Sequence, residues 1–219
     1  ISQTDKTSLA SDITEIINQI QLEFLLQEIP DSVKESQEGI NRVATIIGAL
    51  RRFSHPGEKE MHLTDIHQAL ESAVIVCRHE WKYCAEMVTE FAPDIPMILC
   101  LQDQLNQVFF NLIINAVHAI ETAKNQDPDR AYTITVATRL TGEWVEIRIS
   151  DTGCGIPHEI QSRIFEPFFT TKGVGKGTGQ GLAIVHDIIV NKHGGRVEVS
   201  SQPGHGNTFF LYLPIGQQN

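Results

Sequence analysis

The chain is short of positive charge. Its 17 lysines and arginines face 27 aspartates and glutamates, a formal net charge of −10. A nucleic-acid surface needs a basic patch, so that class of partner is excluded. A local phosphate site is not, because oriented N–H groups and a metal ion can outweigh the net field. Cysteine is also scarce: Cys77, Cys84, Cys100 and Cys154 form no C-x-x-C and no Cys/His group with zinc spacing. They read as scattered buried thiols of a reducing compartment. No segment approaches the ~20 apolar residues that span a bilayer, so this segment is expected to make no membrane contact. The N-terminus lacks the basic and apolar regions of a signal peptide. The first residue is Ile1 rather than Met, and the chain is read as an excerpt.

What is present describes a soluble globular protein: 219 residues, 41% hydrophobic and 20% charged. That length supports one large domain, or a domain with an appendage, and a sizeable core.

The most distinctive stretch runs from Asp151 to Leu182. It holds DTGCGIP, FEPFFTTK and then GVGKGTGQGL, with glycine at every second position from Gly173 to Gly181. The amphipathic LAIVHDIIV follows. A glycine-rich loop feeding a helix N-terminus suits a phosphate, since free N–H groups and the helix dipole favour an anion. The same glycines also suit a flexible linker, and the loop alone does not decide between the two.

From the N-terminus, Ile13, Ile16, Ile17, Ile20 and Phe24 predict a first helix, with Asp12 and Glu15 as its cap pair. Pro30 ends it or starts the next. A second helix, about 31–54, carries Val33, Ile40, Val43, Ile47 and Leu50, with seven-residue steps that make an a/d seam. Two helices cannot bury such a seam alone, which predicts a dimeric four-helix bundle. SHPGEK, 54–59, is the linker.

The second region opens with a short strand at MHL and a helix from Thr64 or Asp65 to about Arg78. Strands are expected at Lys82 to Phe91 and Met97 to Leu101. Asp103 opens the strongest helix, with Leu105, Phe109, Leu112, Ala116 and Ile120 as its core stripe. Gln107, Asn111, Asn115 and His118 line another face. Amides in so apolar a helix need partners, since each left unpaired costs about 1–3 kcal/mol. They are site residues or satisfied core asparagines. A hairpin follows around Thr141–Gly142, then a short helix from Pro157, a stop at Gly194–Gly195, and a last hairpin around QPGHG.

Four blocks then carry a resemblance. QVFFNLIINAVHAI, DTGCGIP, FEPFFTTK, and GKGTGQGLAIV with GHGNTFFLYLP resemble the asparagine, glycine and phenylalanine boxes of the ATP-binding domain of bacterial sensor histidine kinases. That domain belongs to the superfamily of gyrase, Hsp90 and MutL. The resemblance covers about 57–219. It implies an α+β fold: a two-layer α/β sandwich, with a mixed, mostly antiparallel sheet covered on one face by helices. ESQEGINRVATIIGALRRFS also resembles the second helix of the family's dimerisation hairpin. The implied organisation is a partial hairpin at 1–56 lacking the phosphoacceptor histidine, and an ATP-binding catalytic domain at 57–219.

The resemblance implies roles position by position. Asp151 would accept a hydrogen bond from the adenine amine, with Gly153 and Gly155 letting the backbone pass the base. Asn115 would ligate Mg2+, and Asn111, one turn earlier, would face the same metal–phosphate group. His118 would lie near the phosphates, although a structural or solvated histidine fits as well. Phe165, Phe168 and Phe169 would anchor a lid. Lys172, Gly175, Gly177, Thr178, Gly179 and Gly181 would supply charge, N–H groups and a hydroxyl to the phosphates, Leu182 would also belong to the cofactor site, and Lys176 would be a solvated lid charge. Thr208 would stand near the adenine. Gln180 replaces a leucine common in the family. Without nucleotide, Thr171 to Thr178 should be the least ordered part of the domain.

The implied cofactors are ATP and Mg2+. The implied partners are a response-regulator receiver domain and a second copy through the N-terminal helices. The implied location is cytoplasmic, with anchoring of a longer parent left open. The family's phosphoacceptor histidine has no match: none of the nine histidines lies in the first helix, and His79–Glu80 falls inside the ATP domain. The acceptor is therefore expected upstream of Ile1, and this excerpt should not phosphorylate itself. Two alternatives remain, an ATP-hydrolysing enzyme and a nucleotide-sensing dimerisation module. Hydrolytic relatives carry a glutamate base where this chain has Asn111, and an amide takes no proton.

Overall fold

A computed structural model describes residues 60–172 and 177–216, with scattered helical positions between 24 and 37. The chain divides into two units, Ile1–His55 and Pro56–Asn219. In the first, the described positions are helical, Pro30 included, and Phe24, Leu26, Ile29 and Val33 are exposed. Most of the predicted seam, Ile40 to Leu50, lies outside the described residues.

The second unit is a five-stranded sheet with helices packed on one face. Its elements are β1 (His62–Thr64), α1 (Ile66–Val76), α2 (Arg78–Trp81), β2 (Glu86–Glu90), β3 (Ile98–Cys100), α3 (Gln102–Lys124), β4 (Thr133–Thr141) and β5 (Trp144–Asp151). A 3-10 turn (His158–Arg163), α4 (Gly181–His186), a π-helical turn (Asp187–Lys192), β6 (Arg196–Gln202) and β7 (Gly206–Pro214) complete it. The strand order is β2-β4-β5-β7-β6. Only β2 and β4 run parallel; the other neighbours are antiparallel. Parallel strands need a crossover, and α3 lies within it. The sandwich is thus mixed and mostly antiparallel, as expected.

Strand alternation decides what faces the helices. Val145, Ile147 and Ile149 of β5 pair with Leu213, Leu211 and Phe209 of β7, and all six are buried. The α3 stripe Leu105, Phe109, Leu112, Ala116 and Ile120 is buried as predicted. Ile66, Leu70 and Ala73 of α1 share a core with Leu105, Phe109 and Leu112, while Ala116 and Ile120 pack in a second cluster with Tyr132 and Ile134. On the opposite sheet face, Arg139 pairs with the buried Glu146 at 2.9 Å, and Arg148 pairs with Glu90 at 2.9 Å.

Several boundaries moved. Asp65, not Thr64, caps α1, accepting from the His67 and Gln68 N–H groups at 2.9 and 3.4 Å. The strand expected from Lys82 begins only at Glu86, because residues 78–81 make the short helix α2 and Trp81 is tied back to the Val74 carbonyl at 3.0 Å. Asp103 sits in the first turn of α3 rather than opening it, and the helix runs on to Lys124. Pro157 precedes a 3-10 turn rather than entering an α-helix. The segment after Gly181 is α-helical only to His186 and then widens into the π-helical turn. β1 pairs with β3 in a separate two-stranded sheet.

Because Phe109 is fully buried in this core, Phe109→Ala should destabilise the protein by about 3–5 kcal/mol. Chemical denaturation followed by circular dichroism measures this.

Candidate functional site

The strand β5 delivers Asp151 to the helix-covered face, where it is 6% exposed. Two donor groups hold its carboxylate through three contacts. The Gly153 N–H donates to Oδ1 at 2.8 Å. The Asn207 amide donates to Oδ1 at 3.2 Å and to Oδ2 at 3.0 Å. Burial pushes the carboxyl up to about 6, and the Asn207 and Gly153 donors oppose it. Oδ2 takes a single bond, so it keeps a lone pair for an amine from outside.

The loop after Asp151 crosses α3 at close range. A Cβ on Gly153 would lie 2.5 Å from the Ala119 carbonyl carbon and 2.7 Å from the Ile120 nitrogen. The Cys154 N–H donates to the Ala119 carbonyl at 3.0 Å. Gly155, at φ +71°, abuts the Gln202 backbone. The crowding at these glycines comes from the protein's own main chain.

On α3, Asn111 and Asn115 meet the start of α4. The Asn111 amide reaches the Gly181 carbonyl at 3.5 Å, and Gly181 also lies against Asn115. One turn on, His118 Nδ1 lies 2.7 Å from the Lys172 ammonium. Lysine has only donors to offer, so Nδ1 is the acceptor and the imidazole is neutral. Burial first, and the Lys172 charge second, push His118 down to about 4. Burial also lowers Lys172, against the charges of Glu121 and Cys154.

FEPFFTTK divides its phenylalanines. Phe165 and Phe169 pack against the core, Phe165 beside the His186 ring at 5.7 Å and Phe169 beneath Arg163 at 4.5 Å. Phe168 does not pack: it is 71% exposed and has φ +66°. Gly179, at φ +64°, seats against the Phe168 backbone. Gly177 lies under Thr170 and Lys172, and the Thr178 hydroxyl accepts from the Gln180 N–H at 3.4 Å. Leu182 is half-buried against the core. Gly175 and Lys176 lie outside the described residues, as do 173–176 of the segment expected to be least ordered.

Thr208 departs from expectation. Its register partner is Ser150, and its hydroxyl donates to Ser150 Oγ at 3.1 Å on the sheet face away from Asp151. The residue of the last box that reaches Asp151 is Asn207. The signal was available: Asn207 shares the parity of Phe209, Leu211 and Leu213, which face the core.

A buried acceptor at a strand end, amides on the facing helix and a lysine-bearing glycine loop define a nucleotide-binding α/β sandwich. Residues 100–217 match the family described as "Histidine kinase-, DNA gyrase B-, and HSP90-like ATPase", and the chain belongs to that family. It is 33% identical over 206 residues to the signal transduction histidine-protein kinase AtoS of Escherichia coli, covering 93% of this chain and 32% of that protein. This chain thus spans about a third of the length of that relative. Among solved structures, the catalytic domain of the histidine kinase ThkA superposes with a TM-score of 0.61 at 25% identity, covering 71% of this chain and 96% of that one. Full-length ShkA in complex with AMPPNP shares the fold, with a TM-score of 0.65 at 24% identity, covering 84% of this chain and 37% of ShkA.

Two buried groups couple this site to pH with opposite signs. His118 titrates lower in the folded than in the unfolded chain, so acidification from about 6.5 towards about 4 favours unfolding. Asp151 titrates higher when folded, so acidification from about 6 towards 3.8 favours folding. In the intact protein the two largely offset each other. His118→Asn should make thermal stability rise on acidification through that window relative to the parent, and Asp151→Asn should make it fall. Melting temperatures measured across the window provide the check.

Proposed function

We propose that this chain is the ATP-binding catalytic portion of a sensor histidine kinase. It binds ATP with Mg2+ and donates the γ-phosphoryl group to a histidine outside the chain. An aspartate of a response-regulator receiver domain then takes the group. The observation that carries the reading is the buried Asp151 carboxylate, fixed by Gly153 and Asn207 with one acceptor position open. Adenine offers an amine there; guanine offers a carbonyl oxygen, which a carboxylate repels.

Each remaining group has a part in this proposal. Lys172 supplies charge to the phosphates, with His118 beside it. Gly177, Thr178, Gly179, Gly181 and Leu182 frame the phosphate end, and Gly175 of the same loop lies outside the described residues. Phe165 and Phe169 hold the base of the lid against the core. Among the described residues no group of three or more His, Cys, Asp or Glu side chains could hold a metal. That suits magnesium, which keeps its waters and enters with the triphosphate, Asn115 adding an amide oxygen. Once bound, the ion neutralises phosphate charge. Transfer breaks the bond from γ-phosphorus to the bridging oxygen, releases ADP and forms a phosphorus–nitrogen bond; the protein's share is positioning and charge stabilisation. Asn111 cannot act as a general base, which disfavours water as acceptor.

The partners follow from the same reading. The exposed Phe24, Leu26, Ile29 and Val33 of the first unit support burial against a second copy. A cytoplasmic location is proposed with it. Among the described residues no helix is long and apolar enough to cross a membrane.

Calorimetry with ATP and Mg2+ should show binding by the parent chain. Asp151→Asn should weaken it by about tenfold to a hundredfold, the worth of a hydrogen bond to a charged group. Hydrolysis should be slow in both. Equal ATP affinity in the variant would refute the adenine assignment, and brisk hydrolysis would favour a hydrolytic enzyme.

A further inference from the structure

Behind the Asn207–Asp151 contact runs a directed chain of hydrogen bonds, from Ile156 through Ser201, that none of the proposed roles uses. Ser201 of β6 sits opposite Asn207 of β7, on the face shared with Asp151. The Ile156 N–H donates to Ser201 Oγ at 2.7 Å. A backbone N–H can only donate, so the Ser201 oxygen accepts there and keeps its own hydrogen to give away. It gives it to Asn207 Oδ1 at 2.7 Å, with the Gly206 carbonyl a weaker alternative at 3.3 Å. An Asn207 amide whose oxygen faces Ser201 must turn its NH2 group to Asp151, as the 3.0 and 3.2 Å contacts show. The chain therefore starts at Ile156 and ends at Asp151, two points on one loop, and its direction is set by a main-chain donor.

We propose that Ser201 is a positioning residue for base recognition, which fixes the orientation of the Asn207 amide and thereby keeps the Asp151 carboxylate aimed and ready to accept. The inference rests on the nucleotide reading above. Without the Ser201 hydroxyl, the Asn207 oxygen has no donor. The amide can then turn its oxygen towards a protonated Asp151 and accept from it, a state in which Asp151 has lost its role as acceptor. Ser201 reaches Asp151 only through Asn207.

Ionisable groups on the elements around this chain include Cys154 on the same loop, His118 and Glu121 on α3, Lys172 before the glycine loop, His205 in the β6–β7 turn and Arg130, which donates to the Gly204 carbonyl of that turn. Cys154 is raised by burial first and by the Asp151 charge second. Burial raises Asp151, opposed by hydrogen bonds from the Asn207 side chain and from the Gly153 and Asn207 backbones, and of these only the Asn207 side-chain donor depends on Ser201.

The test compares the parent chain with Ser201→Ala and Ser201→Thr, with melting temperature and amide-resonance dispersion as controls for folding. Two measurements are made: the pH titration of the Asp151 carboxyl carbon by NMR without nucleotide, and calorimetric affinity for ATP with Mg2+ from about pH 6 to about pH 8. In Ser201→Ala, the Asp151 midpoint should move up and ATP binding should weaken about fivefold to tenfold near neutral pH. The loss should deepen on acidification. Ser201→Thr, which keeps the hydroxyl, should match the parent in both. An unmoved Asp151 midpoint in a folded Ser201→Ala protein would overturn the proposal. So would a Ser201→Thr variant that behaves like Ser201→Ala. If the parent binds no ATP, the nucleotide reading fails on its own, while the ligand-free titration still decides whether Ser201 governs Asp151.

Discussion

The site depends on a crossing of two backbones. The loop that leaves β5 passes α3 at Ala119 and Ile120 so closely that position 153 has no room for a Cβ. That crossing fixes the distance between sheet and helix at the end where Asp151 emerges. The Cys154–Ala119 bond locks it. With that distance set, Asn115, one turn before the crossing, lies against Gly181, and His118, next to Ala119, meets Lys172. A bulkier residue would push the loop away from the helix, and the acceptor and the amides would part.

Polar groups are then buried at one end of an otherwise apolar sandwich. Buried polar atoms are tolerated where they are bonded. Asp151, Asn207 and Ser201 satisfy one another in a directed chain, and His118 and Lys172 do the same as acceptor and donor. Both arrangements leave unused capacity facing outward. Oδ2 of Asp151 keeps a free lone pair, and Lys172 has further hydrogens to give. Burial loads these groups with perturbed proton affinities, and perturbed groups cluster where function resides.

Much of the architecture was legible before any coordinates. The α3 stripe, the β4–β5 hairpin, the β6–β7 hairpin and the stop at Gly194 follow from periodicity and turn chemistry, which are local. The α2 turn was hidden, because its four residues, Arg78 to Trp81, are too few to show a helical period and are held by the non-local bond from Trp81 to the Val74 carbonyl of α1. The π-helical widening after His186 was hidden too, since an apolar helical pattern does not distinguish the two windings. In the site, motif order located Asp151, Asn111, Asn115 and Lys172 in one region. It did not single out Asn207 as the partner of Asp151, because Asn207 and its neighbour Thr208 point to opposite faces of the strand and only the register decides which one meets Asp151.

The sequence alone determined the family, the helical and strand segments and the identity of the chemical groups, because these rest on short-range patterns. It left the partnerships undecided. That Asn207 holds Asp151, that Ser201 directs Asn207, that His118 is a neutral acceptor for Lys172 and that Phe168 stands in solvent are decisions of the tertiary structure. They join residues far apart in the chain, and no local pattern encodes a contact set by sheet register and by the closeness of a helix to a loop.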